Sequence, residues 1–130
     1  MSSFPFSSIN LTRVPVQITD TTPTAIGRPI DMARLTKISV QAGSEDPTVS
    51  GFAGEIKLQA SDFIETQGKL GDWPTDDTKW IDVAGASAAL SGEDCVMFSS
   101  SNISSRWIRV VFTGSAGVGE LQVFATCKHG

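Results

Sequence analysis

The run Arg106-Trp107-Ile108-Arg109-Val110-Val111-Phe112-Thr113 decides the fold class, together with Gly119-Glu120-Leu121-Gln122-Val123-Phe124-Ala125 beyond it. The first stretch is dense in β-branched and aromatic residues, which pack well on a pleated surface. Its arginines and apolar residues can sort to opposite faces. In the second, Leu121, Val123 and Ala125 recur every two residues, the spacing of one face of a strand. Gly114-Ser115-Ala116-Gly117-Val118-Gly119 connects strand to strand, so it reads as a hairpin loop. A phosphate cradle would need a strand–loop–helix context.

The same period appears upstream. In Gly54 to Ala60, Ile56, Leu58 and Ala60 turn inward while Glu55, Lys57 and Gln59 turn outward. In Arg34 to Gln41, Ile38 and Val40 share a face, and Leu35 is offset by one. Trp80-Ile81-Asp82-Val83 places Ile81 and Val83 on one face. Val14 to Thr19 reads as an edge strand, because Pro15 cannot donate to a ladder. Between these runs lie Gly-, Ser-, Asp- and Pro-rich turns at 43–47, 68–74, 85–87, 91–94 and 114–117. No window carries a sustained helical stripe, and Ala84 to Leu90 is broken by Gly85 and Ser87. The 16 serines and 12 threonines suit exposed strand faces and turns better than helices. The expectation is an all-β, single-domain antiparallel β-sandwich, jelly-roll-like, of about eight strands. Residues 1–10 are expected as an N-terminal arm and 11–130 as the sandwich.

Composition narrows the function classes. A chain of 130 residues that is 40% hydrophobic can bury a core without disulfide or metal. A net charge of −4 argues against nucleic-acid binding, which calls for a basic face. Nothing approaches the roughly 18 consecutive apolar residues of a membrane-spanning helix. The opening Met1-Ser2-Ser3-Phe4-Pro5-Phe6 lacks the basic and apolar regions of a secretory signal. Cys95 and Cys127 are therefore expected as reduced thiols, although each falls in an expected strand and a bridge between neighbouring strands stays open.

Chemistry-bearing residues are sparse. His129, the one histidine, is second from the last residue, a poor place for a general base that needs a held geometry. Without another base, serine- or cysteine-type catalysis has no constellation. Cys95, Cys127 and His129 have no standard zinc spacing. No catalytic, cofactor or metal residue is assigned. The loop Gly71-Asp72-Trp73-Pro74-Thr75-Asp76-Asp77-Thr78-Lys79-Trp80 is the one candidate ligand loop. Trp73 with Asp76 and Asp77 could receive a sugar, and Asp72 paired with Asp76 or Asp77 could in principle run glycoside hydrolysis. The plainer reading is a polar turn leading into the next strand. Trp80 and Trp107 are expected as buried anchors. Phe4 and Phe6 either staple the arm to the chain's own core or dock on a neighbouring subunit.

Three segments, in order, carry a resemblance. Ile56-Lys57-Leu58-Gln59-Ala60-Ser61-Asp62, then Thr78-Lys79-Trp80-Ile81-Asp82-Val83, then Ser105 to Thr113 with Gly119 to Phe124, are similar to the later strands of discoidin-like, galactose-binding-type sandwiches. The same order, with Gly85 after Val83 and the glycine-rich hairpin up to Gly119, resembles small virion proteins of tailed bacteriophages. The likeness covers roughly Gly54 to Ala125. Asp62 lacks an accompanying Asn, and the Phe63 to Thr78 loop is long for the pattern. The resemblance implies a non-enzymatic virion structural protein, foremost a capsid decoration or cement protein that stabilises the head by binding the major capsid protein. It would assemble in the host cytoplasm as a homo-oligomer, a trimer before other states, with Phe4 and Phe6 as candidate contacts. The alternative is a carbohydrate-binding module of a fibre or tail appendage that recognises a host glycan.

Overall fold

The computed structural model describes residues 6–10, 16–32, 35–44, 53–63, 73–91, 95–101, 103–117 and 119–128. Nine strands are seen among these residues. They are β1 (Phe6–Asn10), β2 (Val16–Ile18), β3 (Thr24–Asp31), β4 (Lys37–Ser44), β5 (Ala53–Ser61), β6 (Ile81–Ser91), β7 (Cys95–Ser100), β8 (Trp107–Ala116) and β9 (Gly119–Lys128). The one helical element described is a 3₁₀ turn at Asp77–Lys79.

All pairings are antiparallel. The first sheet runs β1–β9–β4–β7, with β2 also on β9, and the second runs β3–β8–β5–β6. β1 and β2 lie end to end along β9, Phe6 opposite Lys128 and Ile18 opposite Gly119, so they act as one interrupted edge strand. Counted that way there are eight strands. The pairings β1/β2 with β9, β3 with β8, β4 with β7 and β5 with β6 fold the chain into one long ribbon, first half against second. Wound across two sheets, that ribbon is a jelly roll. Its tip is the β5–β6 connection, which carries the candidate ligand loop. Phe6–Asn10, expected on an arm, is instead an edge strand of the first sheet. Strand pairing along all five residues of β1 places them there.

The core lies between the sheets, as the alternation requires. Ile38, Val40 and Ala42 of β4 face Leu121, Val123, Ala125 and Cys127 of β9 on one side. Ile56, Leu58, Ile108, Val110 and Phe112 close it from the other, all 1% exposed or less. Trp80 and Trp107 are buried as expected, yet together with Val111 they stand apart from this core. β8 explains why. Ile108, Val110 and Phe112 point inward, so Trp107, Arg109 and Val111 point to the outer face of the second sheet.

Both edge strands of that sheet are bulged. β3 places Gly27-Arg28-Pro29 between the Ile26–Val110 and Ile30–Ile108 pairs, with Gly27 at φ 72°. Proline at an edge costs no ladder bond, but the bulge hides the two-residue period that would have marked Thr24–Asp31 as a strand. β6 inserts Val83 to Ala86 between its pairs with Gln59 and Lys57, with Gly85 at φ 75°. That glycine lets the strand run on through the alanine segment that the sequence pattern leaves broken. Ile81 keeps the inward phase of Ala60, but at the open edge nothing covers it and it is 72% exposed.

Candidate functional site

The outer face of the second sheet presents Lys57 and Gln59 from β5, Asp82 from β6 and Arg109 from β8. They meet because the register sets Gln59 opposite both Arg109 and Asp82. Gln59 Nε2 donates to Asp82 Oδ1 at 2.9 Å, and Lys57 Nζ reaches Asp82 Oδ2 at 3.1 Å. Arg109 Nε donates to Gln59 Oε1 at 2.8 Å, and its Nη1 reaches Asp77 Oδ1 at 3.1 Å. The Arg109 guanidinium also sits 4.6 Å from the centre of the Trp80 ring, in cation–π range. Trp80 Nε1 in turn donates to the Pro74 carbonyl at 3.1 Å. This chain of bonds fastens the ribbon tip to the sheet.

Asp76 starts the 3₁₀ turn. Its Oδ1 accepts from the Thr78 backbone N–H at 2.9 Å and from the Thr78 hydroxyl at 2.8 Å. The backbone bond, then the hydroxyl, hold its carboxyl below the usual carboxylate range. The Gln59 amide, then Lys57, do the same for Asp82. A general acid in glycoside hydrolysis needs the opposite shift. Asp77 is turned to Arg109, and Asp72 lies outside the described residues.

Trp73 does not offer an open platform. It is half-buried, meets Trp107 edge-on at 5.9 Å and 77°, and carries Arg28 at 5.4 Å from its ring centre. Arg106 lies 4.9 Å from the centre of the Trp107 ring and forks onto Asp31, Nε to Oδ1 at 3.0 Å and Nη2 to Oδ2 at 3.3 Å. Asp62 Oδ1 accepts from the Arg106 backbone N–H at 2.8 Å, so the acid after Ser61 ties the end of β5 to the start of β8. The Trp107 indole N–H is buried with no hydrogen-bond partner among the described residues.

Beside the Arg109 row is a depression of about 350 Å³ lined by Pro23, Ala25, Lys57, Gln59, Asp77, Arg109 and Val111. Of the expected ligand loop, only Asp77 lines it. Lys57, Gln59 and Arg109 were legible as outward residues of their strands. Their convergence was not, because Gln59 and Arg109 stand 50 residues apart in the chain. Chemically the site is compensated. Two cations, Lys57 and Arg109, meet two carboxylates, Asp82 and Asp77, and the amide between them is used at both ends. Such a face can hydrogen-bond a polar ligand, but the described residues bring together no nucleophile with a base.

Elsewhere, Cys95 is exposed on β7 and Cys127 is buried on β9, with β4 between them. They pair with opposite ends of β4, at Gly43 and Ile38, and both are free thiols. Burial pushes the Cys127 thiol up to about 11. Phe4 and His129 lie outside the described residues. Phe6 is described only as the first residue of β1.

The fold and site thus define a single jelly-roll sandwich with a polar outer face. Three solved structures are similar to it. The SPBc2 prophage-derived protein YomS has a TM-score of 0.50 at 16% identity, the match covering 98% of this chain and 96% of that one. Tripeptidyl peptidase 2 has a TM-score of 0.60 at 12% identity, over 98% of this chain. This chain spans only 10% of that much longer protein. A structure described as "Bacillus endospore appendages form a novel family of disulfide-linked pili" has a TM-score of 0.47 at 11% identity, over 99% of this chain and 93% of that one. At these identities the likeness shows the fold alone. No protein-family model and no curated protein matches the sequence.

Proposed function

We propose that this chain is a non-enzymatic structural protein of a bacteriophage particle, a decoration or cement protein that binds the major capsid protein of the head. The observation that carries this reading is the end-to-end correspondence with YomS, a prophage-derived protein. In both, one sandwich accounts for nearly the whole chain. The internally compensated polar face supports it, since its groups are engaged in fixing the ribbon tip and not poised for proton transfer. The order of motifs from Gly54 to Ala125, similar to small phage virion proteins, points the same way. Net negative charge suits a protein that must not adsorb to packaged DNA.

The test is to purify particles from the phage or lysogen that encodes the chain, band them by density and quantify the chain against major capsid protein. Copy number in proportion to capsid protein supports decoration. A few copies per particle moves the protein to an appendage, and absence from banded particles refutes the virion reading. The truncation that probes a terminal contact should stop at Pro5, because removing Phe6 to Ser8 would also take paired residues from β1.

One observation favours glycan recognition as a second reading. The depression presents the planar polar groups of Gln59, Arg109 and Asp77, the types that hydrogen-bond sugar hydroxyls. Binding on a glycan array that disappears in Gln59→Ala, with the fold retained, would support it. An array without binding would remove it.

A further inference from the structure

The outer face of the first sheet has a charge pattern unlike the rest of the molecule. Its register sets residues in rows across β9, β4 and β7. The rows are Lys128–Lys37, then Thr126–Ser39–Ser99, then Phe124–Gln41–Met97, then Gln122–Gly43–Cys95, with Glu120 beyond on β9. The inner residues of β4 and β9 between them are buried, which fixes these rows as outward. The three middle rows carry no charge, although the chain as a whole carries −4. Two of the four large apolar side chains exposed among the described residues stand in the central row, Met97 at 65% and Phe124 at 41%.

The two ends of this face have opposite sign. Lys37 and Lys128 are direct cross-strand partners, an arrangement in which like charges destabilise a sheet. Neither has an ion-pair partner among the described residues. A groove of about 310 Å³ between them and Ser39, Ser99, Ser101 and Thr126 is open to a carboxylate. At the far end Glu120 is held outward by Gln17, whose Nε2 donates to Glu120 Oε1 at 2.7 Å. Phe124 is midway in sequence between Glu120 and Lys128.

We propose that this face is the contact between two copies of the chain, stacked sheet on sheet about a two-fold axis that lies along the Phe124–Gln41–Met97 row. That axis maps the central row onto itself, so Phe124 meets Phe124 and Met97 meets Met97 of the second copy. It carries Glu120 of each copy over the Lys37–Lys128 end of the other, and it sets Cys95 opposite Ser99. Glu120, Lys37 and Lys128, which this arrangement brings together, have no ion pair among the described residues of the single chain. Turning the axis parallel to the strands would instead place lysines over lysines. Stacked sheets approach to about 10 Å, close enough for these side chains to touch. The interface is of the self-complementary kind that closed two-fold dimers use.

The test is sedimentation of the whole chain over a wide concentration range. A monomer–dimer equilibrium is expected. Phe124→Glu and Met97→Glu, each at an exposed site, should abolish the dimer while thermal unfolding of the monomer stays cooperative. Glu120→Lys and Lys128→Glu should each weaken it severalfold, and the combined charge swap should restore it. In Ser99→Cys a short bifunctional maleimide should join position 99 of one copy to Cys95 of the other. The proposal is overturned by a strictly monomeric wild type, by a trimeric mass, by Phe124→Glu leaving the dimer intact, or by wild-type Cys95 cross-linking to itself.

Discussion

Gly54 is the position where one added carbon should disturb the sandwich most. A Cβ built there lies 2.3 Å from Phe112 Cζ, 2.8 Å from Phe112 Cε2 and 2.5 Å from the Thr113 carbonyl oxygen. Carbon atoms in ordinary contact sit about 3.5–4.0 Å apart, so the Phe112 ring must retreat by more than about 1 Å. It has nowhere to go, being 0% exposed in the centre of the core. The Thr113 oxygen is no freer, because β8 is paired on both sides, with β3 and β5. Overpacking of a tight core costs about 1–3 kcal/mol, and a simultaneous backbone collision puts Gly54→Ala at or beyond the upper end. For a chain of this length about 3 kcal/mol lowers Tm by roughly 10–15 °C. Gly85→Ala is the control. It has nothing within 4 Å but a φ of 75°, so it should show only the backbone strain of about 1–2 kcal/mol. Thermal and urea unfolding of both variants measure the difference. A Gly54→Ala protein within about 1 kcal/mol of wild type would refute the idea that Phe112 occupies this glycine's side-chain space.

Other outcomes follow from the same contacts. Trp80→Phe removes the donor to the Pro74 carbonyl and should cost about 1–3 kcal/mol, whereas Trp107→Phe removes an N–H without a described partner and should cost less; urea unfolding of the pair decides this. Arg109→Lys cannot reproduce both the cation–π contact over Trp80 and the bonds to Gln59 and Asp77, so it should lose about 1–2 kcal/mol, with faster amide exchange confined to residues 73–80. Cys127 keeps its proton in the folded chain up to about 11, while the unfolded thiol ionises near 9.0. Stability should therefore be unaffected by this group below that lower value and fall by about 1.4 kcal/mol per pH unit between the two, a slope that Cys127→Val should remove. A thiol reagent should find one reactive cysteine, Cys95, in the native chain and two after unfolding. Asp76 and Asp82 have carboxyls lowered in the fold, so what they contribute is present above the ordinary aspartate range and lost as pH falls through it; Asp76→Asn and Asp82→Asn should flatten that acid limb.

How much of this was legible beforehand depends on the range of the interaction. The strands β5, β8 and β9 were legible because their inward and outward residues alternate without interruption, and alternation is a property of neighbours in the chain. β3 and the second half of β6 were not, because glycine-centred bulges at Gly27 and Gly85 break the alternation while the pairing continues. Edge positions also misled. Ile81 keeps an inward phase and is still exposed, since phase tells which face a residue takes and not whether anything covers it. The terminal segment Phe6–Asn10 has the composition of a tail and the pairing of a strand, and only β9, more than a hundred residues away, makes the difference.

The candidate loop shows the same division. The sequence by itself marks Trp73, Asp76, Asp77 and Trp80 as a cluster of rings and acids, and it marks Lys57, Gln59 and Arg109 as outward. It determines the all-β class, the two-layer architecture and the absence of a standard catalytic motif, because those rest on period, composition and spacing. Tertiary structure alone decides that the two groups meet, that Asp76 caps a turn, that Trp73 meets Trp107 edge-on and that Asp77 answers Arg109. It also decides that the first sheet's outer face is neutral in its middle and oppositely charged at its ends. Both outcomes depend on strand register. Register is set by the packing of two sheets against a common core, an interaction no local stretch of sequence contains.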